Sequence, residues 1–390
     1  MASSAPSSGS GKTVELDPLR ETDEGLGPPR SLPGSGRIAE LDALRGLAAM
    51  SVLLYHYLTR YQEMYGRQHP VGLDFNAGGF GVCLFFMLSG FVIFMTLDRS
   101  RCVWDFVLSR CSRLFPTFWA AAIVTFLVTR KWGLPDQIVS VHDAVINLSM
   151  LPRLSRAEMI DGVYWSLEPE LFFYLCMGTL LFLGGLKRIR VVLAVWLALG
   201  IISHIILTTQ DASGTLYRLT GKFKTACALE YIHFFAVGLI FYDVRRHGAW
   251  TLGHKLLLAL AAAMTVWLCQ PWESVIAMAL GLVLYLATIG RLPWLNARAL
   301  LWLGFISYPL YLTHQNMGYI ALHWMDEHGW NPYLATSVLI PCAIAMAAVF
   351  SYSVEHPIMR KTRELMKKRR AAAGPSLTST TQPAITNASL

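Results

Sequence analysis

The chain has 390 residues, of which 54% are hydrophobic and only 15% charged, and its mean hydropathy is +0.43. Soluble globular domains carry about a quarter charged residues. The composition therefore excludes an ordinary soluble enzyme and predicts an all-α, polytopic membrane protein. The net charge of +8 does not indicate a nucleic-acid partner, because membrane proteins concentrate Lys and Arg in their cytoplasmic loops.

The two ends of the chain differ in composition from its middle. Residues 1–36 are rich in Ser, Gly and Pro, which predicts a disordered tail without a cleavable signal peptide. Residues 37–360 form the predicted membrane domain, and residues 361–390 form a basic and then disordered C-terminal tail. The seven cysteines include no CxxC pair, so neither a disulfide framework nor a metal site is expected.

Ten apolar runs follow one another through the membrane domain. They span approximately 41–59, 78–97, 114–130, 165–185, 190–208, 227–243, 254–269, 274–290, 299–322 and 333–355. Most approach the roughly 20 residues that a membrane helix needs, which predicts about ten transmembrane helices. The longest connection, 131–164, contains a mildly apolar stretch at 139–151 that suggests a re-entrant or interfacial helix.

The distribution of Lys and Arg predicts the orientation of these helices. If the N-terminus is cytoplasmic, 23 of the 33 Lys and Arg residues fall on the cytoplasmic side and 9 on the other side. The positive-inside rule then places both termini in the cytoplasm.

The first apolar run contains Arg45 and His56, which are 11 residues apart. On a straight helix they share one face, about 16 Å apart along the axis. Ionisable groups are costly in lipid, so both are expected to face the protein interior. Imidazole titrates near neutral pH and suits a general base. From this helix alone, catalytic and structural roles for His56 are equally supported.

The second run contains Ser89, and the pair Arg110 and Arg113 directly precedes the third run. Ser89 is not in a G-x-S-x-G elbow, because Met87 occupies the first glycine position. It is therefore expected to form hydrogen bonds between helices. Arg110 and Arg113 face the same side of a helix. They either anchor the cytoplasmic end or bind an anionic cosubstrate, since guanidinium groups pair with phosphate oxygens.

Further polar side chains occur in the fourth and ninth runs. Glu170 follows Trp165 into an apolar segment, where it either complements the helix dipole or has a function. Ser307, Tyr311 and His314 are spaced by 4 and 3 residues, which predicts one polar helix face lining a cavity. His314 is a candidate ligand, base or hydrogen-bonding strut.

Together these stretches resemble acyltransferase family 3, the multi-spanning membrane O-acyltransferases. The family's pattern of Arg or Lys, ten residues and His matches Arg45 and His56. Its other motifs resemble the segments Phe85–Phe91, Ser109–Pro116, Trp165–Tyr174, Ser307–His314 and Glu355–Pro357. The resemblance covers residues 38–360 and is to the stand-alone form, which lacks an extracytoplasmic esterase-like domain. Phe118 departs from the Tyr that the family often has there.

The resemblance implies transfer of an acyl group, often acetyl, from cytosolic acyl-CoA to a hydroxyl of a carbohydrate acceptor in or at the bacterial inner membrane. Acyl-CoA would be a cosubstrate, with no tightly bound cofactor and no metal. In this interpretation His56 is the general base, Arg45 orients the site, and Glu170 is a catalytic or structural partner of His56. The expected substrate-binding residues are Arg110, Arg113, Ser89, Trp165, Ser307, Tyr311 and His314.

Two alternatives remain open at this point. Intramembrane charges also fit a transporter of a sugar or lipid-linked intermediate, although no internal repeat is evident and many transporters have one. The second is another class of membrane acyltransferase that uses His314 instead of His56.

Overall fold

The computed structural model describes residues 38–67, 72–100 and 102–372. The predicted N-terminal tail at 1–36 and residues 373–390 of the predicted C-terminal tail at 361–390 lie outside the described residues. The described part of the chain is all-helical, with no strand, which confirms the all-α part of the predicted fold class. The sixteen α-helices are α1 Ala39–Tyr55, α2 Tyr61–Tyr65, α3 Gly81–Asp98, α4 Val103–Trp132, α5 Val141–Asn147, α6 Leu167–Phe182, α7 Ile189–Thr209, α8 Thr215–Ala226, α9 Ile232–His247, α10 Leu252–Leu268, α11 Pro271–Thr288, α12 Arg298–Phe305, α13 Ser307–Thr313, α14 Gln315–Glu327, α15 Pro332–Phe350 and α16 His356–Ala372.

Each of the ten predicted apolar runs coincides with one or more of these helices. By length and apolarity, five helical stretches are able to cross a membrane: Asn76–Asp98, Val103–Trp132, Gly185–Thr209, Pro271–Thr288 and Pro332–Arg369. These stretches make the protein a multi-pass membrane protein. The number of spans and the orientation of the termini stay predictions. The stretch predicted at 139–151 contains the short helix α5.

The ninth predicted run differs from expectation. Instead of one straight helix, it forms α12, α13 and α14, which break at Ile306 and at His314. Ser307 and Tyr311 lie one turn apart within α13, and His314, whose backbone angles are still right-handed helical, follows directly at its end. The three side chains therefore keep their predicted spacing along one face up to that break.

The core is held by close helix crossings at glycine. Gly90 of α3 and Gly238 of α9 pack against each other's helix so closely that an added Cβ would clash with the carbonyl oxygen of Phe235 or Met87. Around this crossing, the Phe173 and Phe235 rings stack with centroids 4.1 Å apart. In membranes small residues permit this approach, and van der Waals packing then stabilises the pair.

Candidate active site

His56 is placed by a change of helix type. α1 ends at Tyr55, and the next five residues, His56–Arg60, form a π-helical turn. Such turns insert an extra residue per turn and redirect the side chains that follow. His56 lines an open cavity of about 750 Å³, here called the histidine cavity.

The His56 imidazole contacts two further aromatic side chains. Its Nδ1 lies 2.6 Å from Oη of Tyr319, a fully buried residue of α14. Its ring centroid is 5.0 Å from that of His314, in an edge-on arrangement. The histidine pair therefore joins α1 to the break between α13 and α14.

His314 is completely buried, and its protonation can be read from its contacts. Nδ1 lies 3.1 Å from the carbonyl oxygen of Leu310 and 2.9 Å from that of Tyr311. Carbonyl oxygens only accept hydrogen bonds, so Nδ1 carries a proton and donates it. Nε2 is then the unprotonated nitrogen of the neutral ring, and it has no hydrogen-bond partner among the described residues.

A second, narrower cavity of about 50 Å³ lies beside the first. We call it the arginine cavity, because its polar lining includes three guanidinium groups. The polar residues that line it are Arg45, Ser89, Arg110, Arg113, Ser166, Glu170, Tyr174, Ser307, Tyr308 and Tyr311. Three cations face one described carboxylate there, which makes the cavity suitable for an anionic ligand.

Glu170 is fixed inside the arginine cavity by two donors. The Ser89 hydroxyl and the Tyr174 hydroxyl both donate to its Oε1, the latter at 2.5 Å. Because Ser89 lies on α3 and Glu170 on α6, this cluster ties the two helices together. His56 is not among the described contacts of Glu170.

The two cavities are adjacent and share three lining residues. Val82, Phe86 and Tyr311 line both of them. Tyr311 is held rigidly, because its Oη lies 2.7 Å from the Ser166 hydroxyl and donates to the Val163 carbonyl oxygen at 3.1 Å. These three side chains, which we call the constriction, therefore stand between the guanidinium groups and His56.

The loop before α6 forms hydrogen bonds with Asn316, which follows the helix break at His314. The buried Asp161 carboxylate accepts the backbone N–H of Asn316 at 3.1 Å and that of Val163 at 3.2 Å. The Asn316 side chain donates to the Ile160 carbonyl oxygen at 2.9 Å. Burial raises the pKa of Asp161 to about 7, although the backbone N–H donors oppose that rise.

A family model described as an acyltransferase domain, that of acyltransferase family 3, matches residues 38–356. The chain belongs to acyltransferase family 3. Membership makes this protein an O-acyltransferase, and it favours acyl transfer over the transporter alternative.

Several curated proteins are similar to this acyltransferase. Acyltransferase MdmB of Streptomyces mycarofaciens is 26% identical, over 93% of this chain and 100% of the relative. The O-acetyl transferase of Shigella phage Sf6 is 29% identical, over 42% and 52% of the two chains. The exopolysaccharide production protein ExoZ of Rhizobium meliloti (strain 1021) is 28% identical, over 35% and 44%. No solved structure matches the chain.

The acyltransferase thus distributes its sequence-predicted residues over two cavities. Arg45, Ser89, Arg110, Arg113, Glu170, Ser307 and Tyr311 line the arginine cavity. His56, Trp165 and again Tyr311 line the histidine cavity, and His314 lies behind His56. The roles predicted for these residues stay predictions, including that of Glu170 as a partner of His56.

Sequence reasoning missed Tyr319, Tyr174 and Asp161. Tyr174 lay within a quoted motif, so its hydroxyl could have been considered beside Glu170. Asp161 and Tyr319 had no such signal, because their partners are 155 and 263 residues away along the chain. Only the folded chain brings these side chains to the site.

One group of this acyltransferase offers possible metal ligands away from both cavities. Ligand atoms of Asp243, His247 and His254 lie within 4.8 Å of one another. The guanidinium groups of Arg190 and Arg246 lie 3.6 and 3.1 Å from the same carboxylate. Two neighbouring cations oppose the binding of a divalent ion, so the group is better described as an ion-pair network between α7, α9 and α10.

Proposed function

We propose that this protein transfers an acyl group, acetyl in the first instance, from acyl-CoA to a hydroxyl of a carbohydrate acceptor. The observation that supports this most directly is that the two cavities share the lining residues Val82, Phe86 and Tyr311. One cavity is cationic and the other contains an imidazole. The arginine cavity therefore suits an anionic donor, and the histidine cavity suits a neutral hydroxyl acceptor.

The donor is assigned to the arginine cavity. Arg110 and Arg113 would pair with the phosphates of coenzyme A, and Arg45 would stabilise negative charge nearer the thioester. The cavity encloses only about 50 Å³, so the protein must open to admit the pantetheine arm. The acyl group would then reach the constriction from the side opposite the acceptor.

The acceptor is assigned to the histidine cavity. Aromatic rings of Trp165, Tyr231 and Trp272 line it beside the polar side chains of Asn76 and Gln315. An apolar cavity with a few placed polar groups is the usual form of a binding site for a small molecule. A sugar ring, with apolar C–H faces and hydroxyl edges, fits such a lining. The similar protein ExoZ is named an exopolysaccharide production protein, which supports an acceptor of this class.

The proposed reaction requires His56 to be neutral, with its proton on Nδ1. Nδ1–H would donate to the Tyr319 oxygen, leaving Nε2 free to accept the proton of the acceptor hydroxyl. The hydroxyl oxygen attacks the thioester carbonyl carbon, and collapse of the tetrahedral intermediate breaks the C–S bond. The imidazolium returns its proton to the departing thiolate. The products are the ester and free coenzyme A.

The protein would act as a multi-pass enzyme of the bacterial inner membrane, with both termini in the cytoplasm. Cytosolic acyl-CoA would enter the arginine cavity directly. Cysteine-substitution labelling at position 12 and at position 142 tests the orientation, because the two positions should react from opposite sides of the membrane.

The test of the reaction uses the purified full-length chain in lipid nanodiscs with radiolabelled acetyl-CoA and capsular or exopolysaccharide fragments. His56→Ala is expected to lower transfer by about 10²- to 10⁴-fold, the usual contribution of a general base. His142→Ala is the matched control, because the His142 side chain is 82% exposed. Normal transfer by a folded His56→Ala protein would refute the assignment.

A second experiment separates His56 from His314 as the base. The variants His56→Ala, His314→Gln and the double variant are compared. If the two histidines act as one unit, the double variant will be no slower than His56→Ala, because such effects are not additive. Activity that depends on His314 alone would support the rival assignment.

A further inference from the structure

A third polar cavity, of about 240 Å³, lies among α7, α8, α9 and α10. Its polar lining residues are His204, Lys224, Glu230, Tyr231 and His233. We call it the His233 cavity. A cluster of polar side chains among otherwise apolar helices is costly to form and therefore suggests a function.

His233 is the least satisfied side chain in this cavity. It is only 2% exposed, and neither of its ring nitrogens has a hydrogen-bond partner within the part of the chain that the structure describes. Its ring packs on Phe234 with centroids 4.0 Å apart. Buried polar atoms are nearly always bonded. A neutral imidazole offers one donor and one acceptor, and a hydroxyl group matches either.

The charges in the cavity favour a neutral ligand over an anionic one. The Lys224 ammonium lies 3.9 Å from the Glu230 carboxylate, so the two charges compensate each other. A phosphate drawn to Lys224 would be repelled by Glu230 at nearly the same distance. A polyhydroxylated, uncharged ligand can instead donate to Glu230 and accept from Lys224.

Tyr231 connects this cavity to the proposed acceptor site. It lines both the His233 cavity and the histidine cavity. Its ring lies 5.5 Å from that of Trp165 and 4.9 Å from that of Phe86, by centroids. The Tyr231 ring thus separates the His233 cavity from the histidine cavity. This arrangement suits two linked sugar rings, one in each cavity.

We propose that the His233 cavity is a second sugar subsite, which binds the ring next to the one acylated beside His56. The inference rests on the proposed function, since it requires a carbohydrate acceptor. It adds that the acceptor has at least two sugar residues. Lys224, Glu230 and His233 would hold the second ring by its hydroxyl groups, and Tyr231 would pack against its C–H face.

The experiment compares methyl glucoside with methyl maltoside as acceptors for the full-length enzyme in nanodiscs, with acetyl-CoA as donor. In the wild type, kcat/KM should be higher for the disaccharide. His233→Phe keeps an aromatic ring on Phe234 but removes both nitrogens. It should raise KM for methyl maltoside about tenfold, through the loss of one or two hydrogen bonds. It should leave the kinetics with methyl glucoside within twofold.

If His233→Phe does not fold, Lys224→Met provides a second variant, on the more accessible side of the cavity. His142→Phe is the control for both variants. Equal effects on both acceptors, or no effect on either, would overturn the subsite and indicate a cavity filled only by water. Failure of the wild type to acylate either glycoside would overturn the carbohydrate acceptor itself, and the subsite with it. The two failures are therefore distinguishable.

Discussion

Nδ1 of His56 lies 2.6 Å from Oη of Tyr319, which joins the π-helical turn after α1 to α14 beside the histidine cavity. A neutral imidazole that accepts a proton at Nε2 carries its single N–H proton on Nδ1. Tyr319 accepts a hydrogen bond there and so orients the imidazole without touching the reacting atoms. It is a positioning residue.

Tyr319→Phe should therefore lower kcat about tenfold while leaving KM for both substrates nearly unchanged, because the lost hydrogen bond contributes on the order of 1 kcal/mol. The ring and its packing are retained. Tyr61→Phe is the control, since Tyr61 is equally buried and packs on Tyr319 with centroids 5.6 Å apart. A purely structural role would shift the melting temperature and leave the pH–rate profile as it was. An unchanged kcat with an unchanged profile would contradict the positioning role.

The constriction at Val82, Phe86 and Tyr311 should select the acyl group by size. Val82→Ala removes two methyl groups from it, and each carbon in such a site changes selectivity by about 1–3 kcal/mol. The ratio of kcat/KM for butyryl-CoA to that for acetyl-CoA should rise at least tenfold. Val124→Ala, at an exposed valine of α4, should leave the ratio unchanged. If Val82→Ala also leaves it unchanged, the acyl group does not pass this point.

The guanidinium groups of Arg110 and Arg113 should act on the phosphates of the donor and not on its thioester. Arg110→Gln and Arg113→Gln are each expected to raise KM for acetyl-CoA about tenfold, since a hydrogen bond to a charged group contributes about 1.5–3 kcal/mol. KM for acetylpantetheine, which has no phosphate, should change little. Arg130→Gln is the control. Equal losses with both donors would place the two arginines elsewhere in the reaction.

Asp161 should make stability depend on pH. In the folded protein the pKa of Asp161 is raised from 3.8 to about 7 by burial. Between these values the folded state keeps a proton that the unfolded state has lost. The stabilisation is therefore complete below about pH 4, and it is lost as the pH rises through about 7.

Wild-type protein in detergent should consequently melt at a lower temperature at pH 8 than at pH 5, as followed by scanning fluorimetry. Asp161→Asn cannot titrate, so this part of the pH dependence should disappear. Asp211→Asn, in an exposed loop, should keep it. A wild-type slope that survives in Asp161→Asn would show that another group is responsible.

Part of the site was predictable because its residues occur in short local motifs. Arg110 and Arg113 are one helical turn apart, and Ser307 and Tyr311 are four residues apart, so helix geometry alone brings each pair together. These residues do line one cavity with Arg45, Ser89 and Glu170. Tyr174 is likewise four residues from Glu170 on α6, but the pairing of Glu170 with Ser89 of α3, and not with His56, required knowledge of which helices are neighbours.

The break at His314 was also beyond the sequence pattern. A polar residue every three or four positions predicts one straight helix, and the stretch from 299 to 322 has no internal signal of two breaks except Gly304 and Pro309. The break depends on partners from the loop before α6, where Asp161 and Ile160 bind Asn316. Of these two partners, the Asp161 carboxylate satisfies a backbone N–H that the broken helix leaves unpaired, and the Ile160 carbonyl oxygen accepts from the Asn316 side chain.

Composition and periodicity by themselves determined that the protein is all-helical, that it is embedded in a membrane, and which polar residues lie among apolar neighbours. These properties depend on solvation and on local helix geometry, which each segment carries with it. The division into two cavities, the constriction at Val82, Phe86 and Tyr311, and the Tyr319 contact of His56 were decided only by the tertiary structure. They depend on contacts between segments far apart in the chain, such as α1 with α14 and the loop before α6 with the helix break, and no local pattern encodes which distant segments will pack together.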